Sequence, residues 1–210
     1  MEKFLHKVFL NKCYICDFPS SEVICSSCLL KFKVFKNTKQ NYLSFFEYND
    51  IAKKTLYLSK YPPYYFYLLK FLSEYALKSQ NISNFIDNAN KTFFCPVPLS
   101  SLRLFERGFN QAEVICKSLE YLLKIPYLNI INRRKDTNPL YMLDRAQRKL
   151  ELEGAFKTNF LSYLPKILNY SNAILVDDLI TTSTTLGLCR KELQNLGFVN
   201  IKYLSLFIKN

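Results

Sequence analysis

The sequence contains 210 residues, of which 49% are hydrophobic and 22% are charged, and it carries a formal net charge of +12. This length and apolar content predict one compact domain with a small appendage and exclude a chain that is disordered throughout. No apolar run approaches the roughly 18 residues that cross a bilayer, and the N-terminal segment lacks the pattern of a secretion signal, so we expect a cytoplasmic protein without membrane insertion.

Two Cys-x-x-Cys pairs lie near the N-terminus. They are Cys13 with Cys16 and Cys25 with Cys28, and eight residues separate them. This spacing allows four thiolates to surround one structural Zn²⁺ ion and leaves no open position for catalysis. A pair of disulfides is the alternative, which a cytosolic compartment disfavours. We therefore predict a zinc-finger module over residues 1–35.

Residues 36–91 are predicted to form a connector and a helical layer. The connector is rich in Lys and Asn and is expected to contain short strands. Asp50 is expected to cap a helix over residues 51–60, and Pro62-Pro63 should end it. A second helix is expected over residues 64–79, where the Tyr and Phe side chains favour core packing over stacking with nucleic-acid bases.

Residues 92–210 have a different pattern, in which strands alternate with helices. The expected strands are 93–99, 128–131, 173–176 and 201–208, and the expected helices are 108–124 and 184–196, the second ended by Gly197. This alternation predicts an α/β domain with a mostly parallel sheet. Three further cysteines in apolar surroundings are expected to fill its core, namely Cys95, Cys116 and Cys189.

Arginine is distributed unevenly along the chain. Six of the seven Arg residues fall within residues 103–148, whereas the 22 Lys residues occur throughout. An excess of Lys can follow from a genome that is short of G and C, so the net charge alone does not indicate nucleic acid. Arg binds phosphate through a planar fork of donors. We therefore expect an anionic ligand near this segment.

The segment from Ile174 to Leu186 carries the most chemical information. An apolar strand leads to Asp177-Asp178, and hydroxyl side chains fill residues 181–185 at the start of a helix. Open α/β sheets bind ligands at the carboxyl ends of their strands, and the N-terminus of a helix binds phosphate. Adjacent carboxylates suit vicinal sugar hydroxyls or a Mg²⁺ ion. An ordinary helix cap would account for one or two of the threonines only.

These residues predict a pocket for a ribose 5-phosphate. Asp177 and Asp178 are the candidates for the ribose hydroxyls or Mg²⁺. The candidates for the 5′-phosphate are Thr181, Thr182, Ser183, Thr184 and Thr185.

The same loop resembles the signature of the type I phosphoribosyltransferases, which is an apolar strand, Asp-Asp, two residues and Thr-Thr-Gly-x-Thr. The resemblance implies their parallel α/β fold, with residues 92–210 as the core, and the binding of phosphoribosyl pyrophosphate with Mg²⁺. Ser183 stands at the position of the signature glycine, and its Cβ restricts the backbone there.

The order of motifs along nearly the whole chain is similar to the ComF family of competence proteins. The motifs are the four-cysteine module, Pro96-Val97-Pro98-Leu99, Arg107-Gly108-Phe109-Asn110-Gln111-Ala112, Gly154-Ala155-Phe156 and the Asp-Asp loop. Several members of that family are required to bring transforming DNA into the cytoplasm. The resemblance therefore implies natural transformation, with single-stranded DNA and other DNA-uptake proteins, such as a helicase, as partners.

Four arginines are candidates for contacts with pyrophosphate or DNA phosphates: Arg107, Arg133, Arg134 and Arg148. Around the last of them the family pattern weakens, since Leu140 stands where Gln is expected and Glu151 stands where Asn is expected.

Three functions stay open from the sequence. The favoured one is a competence protein that keeps the sugar-phosphate pocket and contacts DNA. The alternatives are a nucleobase-salvage phosphoribosyltransferase, which leaves the zinc module without a role, and a catalytically silent module that binds DNA or acts as a sensor. The sequence identifies no general base and no acceptor, so whether the chain is an enzyme is left open.

Overall fold

A parallel sheet of four strands organises the chain. The computed structural model describes residues 12–36, 41–134, 154–181 and 184–209. Its strands are β1 (Tyr42–Glu47), β2 (Thr92–Pro96), β3 (Ile131–Arg133), β4 (Phe156–Thr158), β5 (Asn172–Ile180) and β6 (Asn200–Ile208). The parallel sheet has the order β1-β6-β5-β2, and β3 and β4 form a separate antiparallel pair. The predicted α/β class with a mostly parallel sheet is confirmed.

Helices cover both faces of this sheet. They are α1 (Ser26–Leu29), α2 (Asp50–Lys60), α3 (Phe66–Ser79), α4 (Ser101–Arg107), α5 (Gln111–Leu123), α6 (Phe160–Ile167) and α7 (Thr184–Asn195). Successive side chains of a strand point to opposite faces, and β5 shows this clearly. Ile174 and Val176 belong to the core that includes residues of α2, α3 and α5. Ala173 and Leu175 belong to the core that includes residues of α6 and α7.

β5 is one of the two inner strands of the parallel sheet. Leu175 is aligned with Cys95 of β2 on one side and with Tyr203 of β6 on the other. Its apolar run is buried on both faces, as expected for a strand of a parallel sheet that helices cover. The strand was predicted to end before Asp177, and this boundary is wrong, because the ladder with β6 continues to Ile180.

The predicted connector also contributes a strand to the parallel sheet. Its strand β1 pairs in parallel with β6, and the hydroxyl groups of Ser44 and Ser205 lie 2.7 Å apart in a buried hydrogen bond between the two strands. The segment therefore supplies one strand of the main sheet as well as the helices α2 and α3. The division into units at residues 1–35, 36–91 and 92–210 stays a prediction.

The two helices of this segment differ in detail from the prediction. Asn49, not Asp50, caps α2, since its side-chain oxygen accepts a hydrogen bond from the backbone N–H of Ala52. The prediction chose between two adjacent residues that both suit a cap. The buried face of α3 consists mainly of leucines, whereas its aromatic residues are partly or largely exposed.

Two boundaries around the Arg-Gly-Phe-Asn-Gln motif also differ. The predicted helix over residues 108–124 begins only at Gln111, because Gly108 has a φ of 74° in the left-handed region and ends the separate helix α4. The predicted strand at 128–131 is divided. Residues 126–128 pair with Phe94 of β2, and β3 begins at Ile131.

The N-terminal module packs against the sheet. Cys13, Ile24 and Phe32 belong to the same core as Phe46 and Phe207. The ring of Phe32 lies 5.5 Å from that of Phe46 and 6.2 Å from that of Phe207, measured between centroids. Residues 33–35 also form backbone hydrogen bonds with β1. The module and the sheet thus share one hydrophobic core.

This shared core predicts that Phe32→Ala destabilises the whole protein. Truncating a buried Phe costs about 3–5 kcal/mol through lost burial and the cavity that remains. Urea unfolding, followed by circular dichroism, measures the change in the free energy of unfolding. Phe18→Ala is the matched control, since Phe18 lies in the same module but is largely exposed. Equal losses in the two variants would contradict the shared core.

Candidate functional site

The candidate site lies at the carboxyl edge of the sheet, where the segments that follow β2 and β5 meet. Pro96, the last residue of β2, is aligned with Val176, directly before Asp177. Asn110 ties the segment after β2 to the sheet, because its amide donates to Val97 O and its oxygen accepts from Ala112 N, both at 3.0 Å. The start of α5 is therefore held beside the end of β5.

Asp178 forms an ion pair that the sequence analysis did not find. Lys60 is the last residue of α2, and its Nζ lies 2.7 Å from Asp178 Oδ2. The two atoms form an ion pair, but their geometry is not that of a hydrogen bond. Asp178 is only 6% exposed, and a buried carboxylate requires such a counter-charge. The partners are far apart in the sequence, so no local pattern could have identified Lys60.

Asp177 has a different environment from its neighbour. Its Oδ1 accepts a hydrogen bond from the backbone N–H of Asp178 at 2.8 Å. The residue keeps some exposed surface, but protein atoms surround its carboxyl group. This burial, together with the negative charge of Asp178, raises the pKa of Asp177 to about 8, and Lys60 offsets only part of the effect. Burial and the neighbouring charge therefore disfavour the ionised form of Asp177 when no ligand is bound.

Arg107 and Gln111 form a polar pair beside these carboxylates. Arg107 Nη1 donates to Gln111 Oε1 at 3.2 Å. Burial and the charge of Arg103 lower the pKa of Arg107, while the nearby Asp178 raises it. The opposing effect of Asp178 indicates that the guanidinium lies within electrostatic range of the acidic pair.

Gln111 leaves one donor unused. The residue is 2% exposed, and among the described residues its Nε2 has no hydrogen-bond partner. Arg107 can only donate, so the amide oxygen must face it and the NH₂ group must point elsewhere. A buried donor without a partner is costly. In the sequence, Gln111 was noted only as part of the Arg-Gly-Phe-Asn-Gln motif and was not among the candidate site residues.

The hydroxyl-rich segment follows β5 directly. Thr181 is exposed, and Thr184 and Thr185 begin α7 and are partly buried. The predicted start of this helix at residue 184 is confirmed. Thr182 and Ser183 lie outside the described residues. Phosphate binding by this segment stays a prediction, and its position after the acidic pair is the one that the prediction requires.

The contacts that the structure describes for Arg133 and Arg134 lie in the antiparallel pair of β3 and β4. Arg133 lies in β3, where its guanidinium carbon is 5.6 Å from the ring centroid of Phe156, and the backbone N–H of Arg134 donates to Ala155 O. Of these two strands, β4 packs against α7. Arg148, Leu140 and Glu151 lie outside the described residues, so their predicted roles stay predictions.

The four N-terminal cysteines come together as the spacing predicts. Their Sγ atoms all lie within 4.8 Å of one another, and those of Cys16 and Cys25 are 3.7 Å apart. Tetrahedral zinc with Zn–S bonds of about 2.3 Å requires sulfur atoms roughly 3.8 Å apart. The cluster can therefore hold a metal ion such as zinc.

Backbone groups support this donor set. The N–H groups of Ile15 and Cys25 each donate to Cys13 Sγ at 3.4 Å. Burial raises the pKa of Cys13, but backbone hydrogen bonds outweigh it and lower the pKa to about 7. Three further cysteines are fully buried in the α/β core, as predicted: Cys95, Cys116 and Cys189.

Comparison with known proteins relates the chain to competence proteins. It is 38% identical over 108 residues to competence protein F of Haemophilus influenzae, a match that covers 51% of this chain and 46% of that protein. It is 27% identical over 203 residues to competence protein ComFC of Bacillus subtilis, which covers 92% of this chain and 75% of the relative. These matches support the assignment of the chain to the ComF family.

A third relative is a DNA utilization protein. The DNA utilization protein YhgH of Salmonella typhi is 33% identical over 92 residues, which are 43% of this chain and 38% of that protein. The chain thus spans less than half of the Haemophilus and Salmonella relatives. No protein-family model matches it. In the part of the chain that the structure describes, no helix has the length and apolar content to cross a bilayer.

The cysteine cluster predicts about one zinc ion per chain, measured by atomic emission on protein purified without added metal. Cys25→Ser should lose the ion and lower the free energy of unfolding, because metal binding contributes directly to folding. Cys189→Ser is the control, since Cys189 is buried in the α/β core outside the cluster, and it should keep the ion. A folded wild type without metal, or Cys25→Ser with full zinc content, would refute this assignment.

Proposed function

We propose that this protein acts in natural transformation, in the uptake of single-stranded DNA, and that its sugar-phosphate pocket binds phosphoribosyl pyrophosphate with Mg²⁺. One observation carries the second part. Asp177 and Asp178 lie near the carboxyl end of β5, an inner strand of the parallel sheet, and α7 begins a few residues later with Thr184 and Thr185. The likeness to competence protein F, to ComFC and to a DNA utilization protein supports the first part.

The chemistry of each group supports this ligand. The two carboxylates can accept hydrogen bonds from the ribose hydroxyls or supply oxygen ligands to Mg²⁺. The start of α7 can donate to the 5′-phosphate. Arg107 and the unused NH₂ group of Gln111 are donors suited to the pyrophosphate. Bound Mg²⁺ would neutralise the charge of the pyrophosphate.

Group transfer from this ligand would require more than binding. Breaking the bond to pyrophosphate creates an oxocarbenium-like centre, which positioning and the surrounding charges stabilise. No residue of the described site is an evident general base for an acceptor. We therefore propose ligand binding as the primary property. Turnover would require an acceptor whose attacking group needs no general base from the protein.

The pocket predicts that Asp177→Ala weakens the binding of phosphoribosyl pyrophosphate with Mg²⁺ by about tenfold or more, since hydrogen bonds to a charged group contribute roughly 1.5–3 kcal/mol. Isothermal titration calorimetry measures the dissociation constant. Asp87→Ala is the matched control, because Asp87 pairs with Lys202 near the amino ends of β5 and β6. The absence of binding to the wild type, or equal weakening in both variants, would reject the pocket.

An exposed surface beside the pocket supports the contact with DNA. The rings of Tyr57 and Tyr61 are 5.0 Å apart, and both residues are largely exposed. Arg107 lies within electrostatic range of Tyr61. The helix α4, which ends at Arg107, buries none of its residues, and Phe105 on it is 89% exposed. Exposed aromatic rings stack with unpaired bases, and arginines bind the phosphates between them.

This surface predicts that the double variant Tyr57→Ser, Phe105→Ser binds a fluorescent oligothymidine about tenfold or more weakly, since each stacked base contributes roughly 1–3 kcal/mol. Fluorescence anisotropy at several salt concentrations measures the affinity. Tyr121→Ser is the control, because Tyr121 is exposed and lies beside a Lys, but on α5. Weak wild-type binding that does not change with salt would reject DNA binding, and an equal loss in the control would reject this surface.

Nucleobase salvage is the alternative for the same pocket. It would require release of pyrophosphate from phosphoribosyl pyrophosphate when a purine or pyrimidine base is added. Release with a nucleobase at a rate above that of hydrolysis would favour salvage over a role in DNA uptake. Binding without release would instead favour a silent module that senses the sugar phosphate.

A further inference from the structure

The ammonium group of Lys60 lies directly against the acidic pair. Its Nζ lies 2.7 Å from Asp178 Oδ2, and its charge also acts on the carboxyl group of Asp177. The proposed ligand would meet these same carboxylate oxygens, either through Mg²⁺ or through ribose hydroxyls. A positive group that belongs to the protein is therefore already present where the proposed cation would bind.

The packing of α2 fixes where Lys60 is attached but leaves its side chain accessible. Ile51, Ala52 and Leu56 are buried in the core and hold the helix against the sheet. Lys60 is the last residue of this helix, and its side chain is 24% exposed. The long aliphatic stem of a lysine allows its ammonium to change position while the backbone stays in place.

We propose that Lys60 is an internal counter-ion which competes with divalent cations for Asp177 and Asp178, and which the ligand-bound cation displaces. This inference rests on the proposed function, because it assumes that the acidic pair is the ligand site. In the free protein the ammonium neutralises the buried Asp178. When a divalent cation binds, two positive groups compete for one carboxylate, and the ammonium moves away.

Because of this competition, the site favours a cation that arrives bound to a sugar diphosphate over a free cation. A divalent cation alone must displace Lys60 without compensation for the released ammonium. A cation that arrives with a sugar diphosphate brings negative charge for the released ammonium to neutralise. Lys60 therefore disfavours the free cation and permits the chelated one, so it acts as a specificity residue of the site.

The experiment measures the binding of Mn²⁺ alone, by electron paramagnetic resonance of the free ion, to the zinc-loaded chain of 210 residues. Lys60→Met should bind Mn²⁺ about tenfold or more tightly than the wild type, because removing the ammonium leaves the carboxylates available to the cation. Lys60→Gln tests the same loss of charge with a polar side chain and should show the same gain. Lys53→Met, which removes an exposed lysine from the same helix, should match the wild type.

Unchanged Mn²⁺ affinity in a folded Lys60→Met or Lys60→Gln variant would overturn the proposal, and so would an equal gain in Lys53→Met. Adding Asp178→Asn to Lys60→Met should abolish the gain, and a persistent gain would place the Mn²⁺ elsewhere and overturn the assignment. These outcomes do not depend on phosphoribosyl pyrophosphate. A wild type that fails to bind that ligand would reject the proposed function, while the Mn²⁺ measurements would still decide the role of Lys60.

Discussion

The ladder between β5 and its two neighbours is the constraint on which the rest of the structure depends. Within this one strand, fully buried apolar side chains give way to two carboxyl groups without a break in the backbone pairing with β6. The apolar part fixes the strand between two helical layers. The same rigid pairing then holds the acidic groups at the edge of the sheet, where a flexible loop could not hold them with equal accuracy.

The sequence predicted those features that depend on neighbouring residues. The Cys-x-x-Cys pairs, the apolar run of β5 and the start of α7 are all local patterns, and each was located closely. Lys60 was missed because its partner is remote in the chain, and an ion pair leaves no periodic signal. β1 was described only as part of a connector, because its burial depends on pairing with β6 rather than on its own alternation.

Burial also explains why chemically similar residues in this protein differ in behaviour. Asp177 and Asp178 are adjacent, yet one has a lysine as its direct partner and the other has a raised pKa. The cysteines divide in the same way, since those near the N-terminus converge on one point while those of the α/β core are separate and enclosed by apolar groups. Residue type alone would have grouped them together.

The contact between Lys60 and Asp178 makes the two halves of the chain depend on each other. It closes a long loop of chain, which costs conformational entropy, and it exists only where the end of α2 lies against β5. Detaching α2 would leave the buried Asp178 without its counter-charge. The charge balance at the acidic pair is therefore set by the segment before residue 92 as much as by the strand that carries the pair.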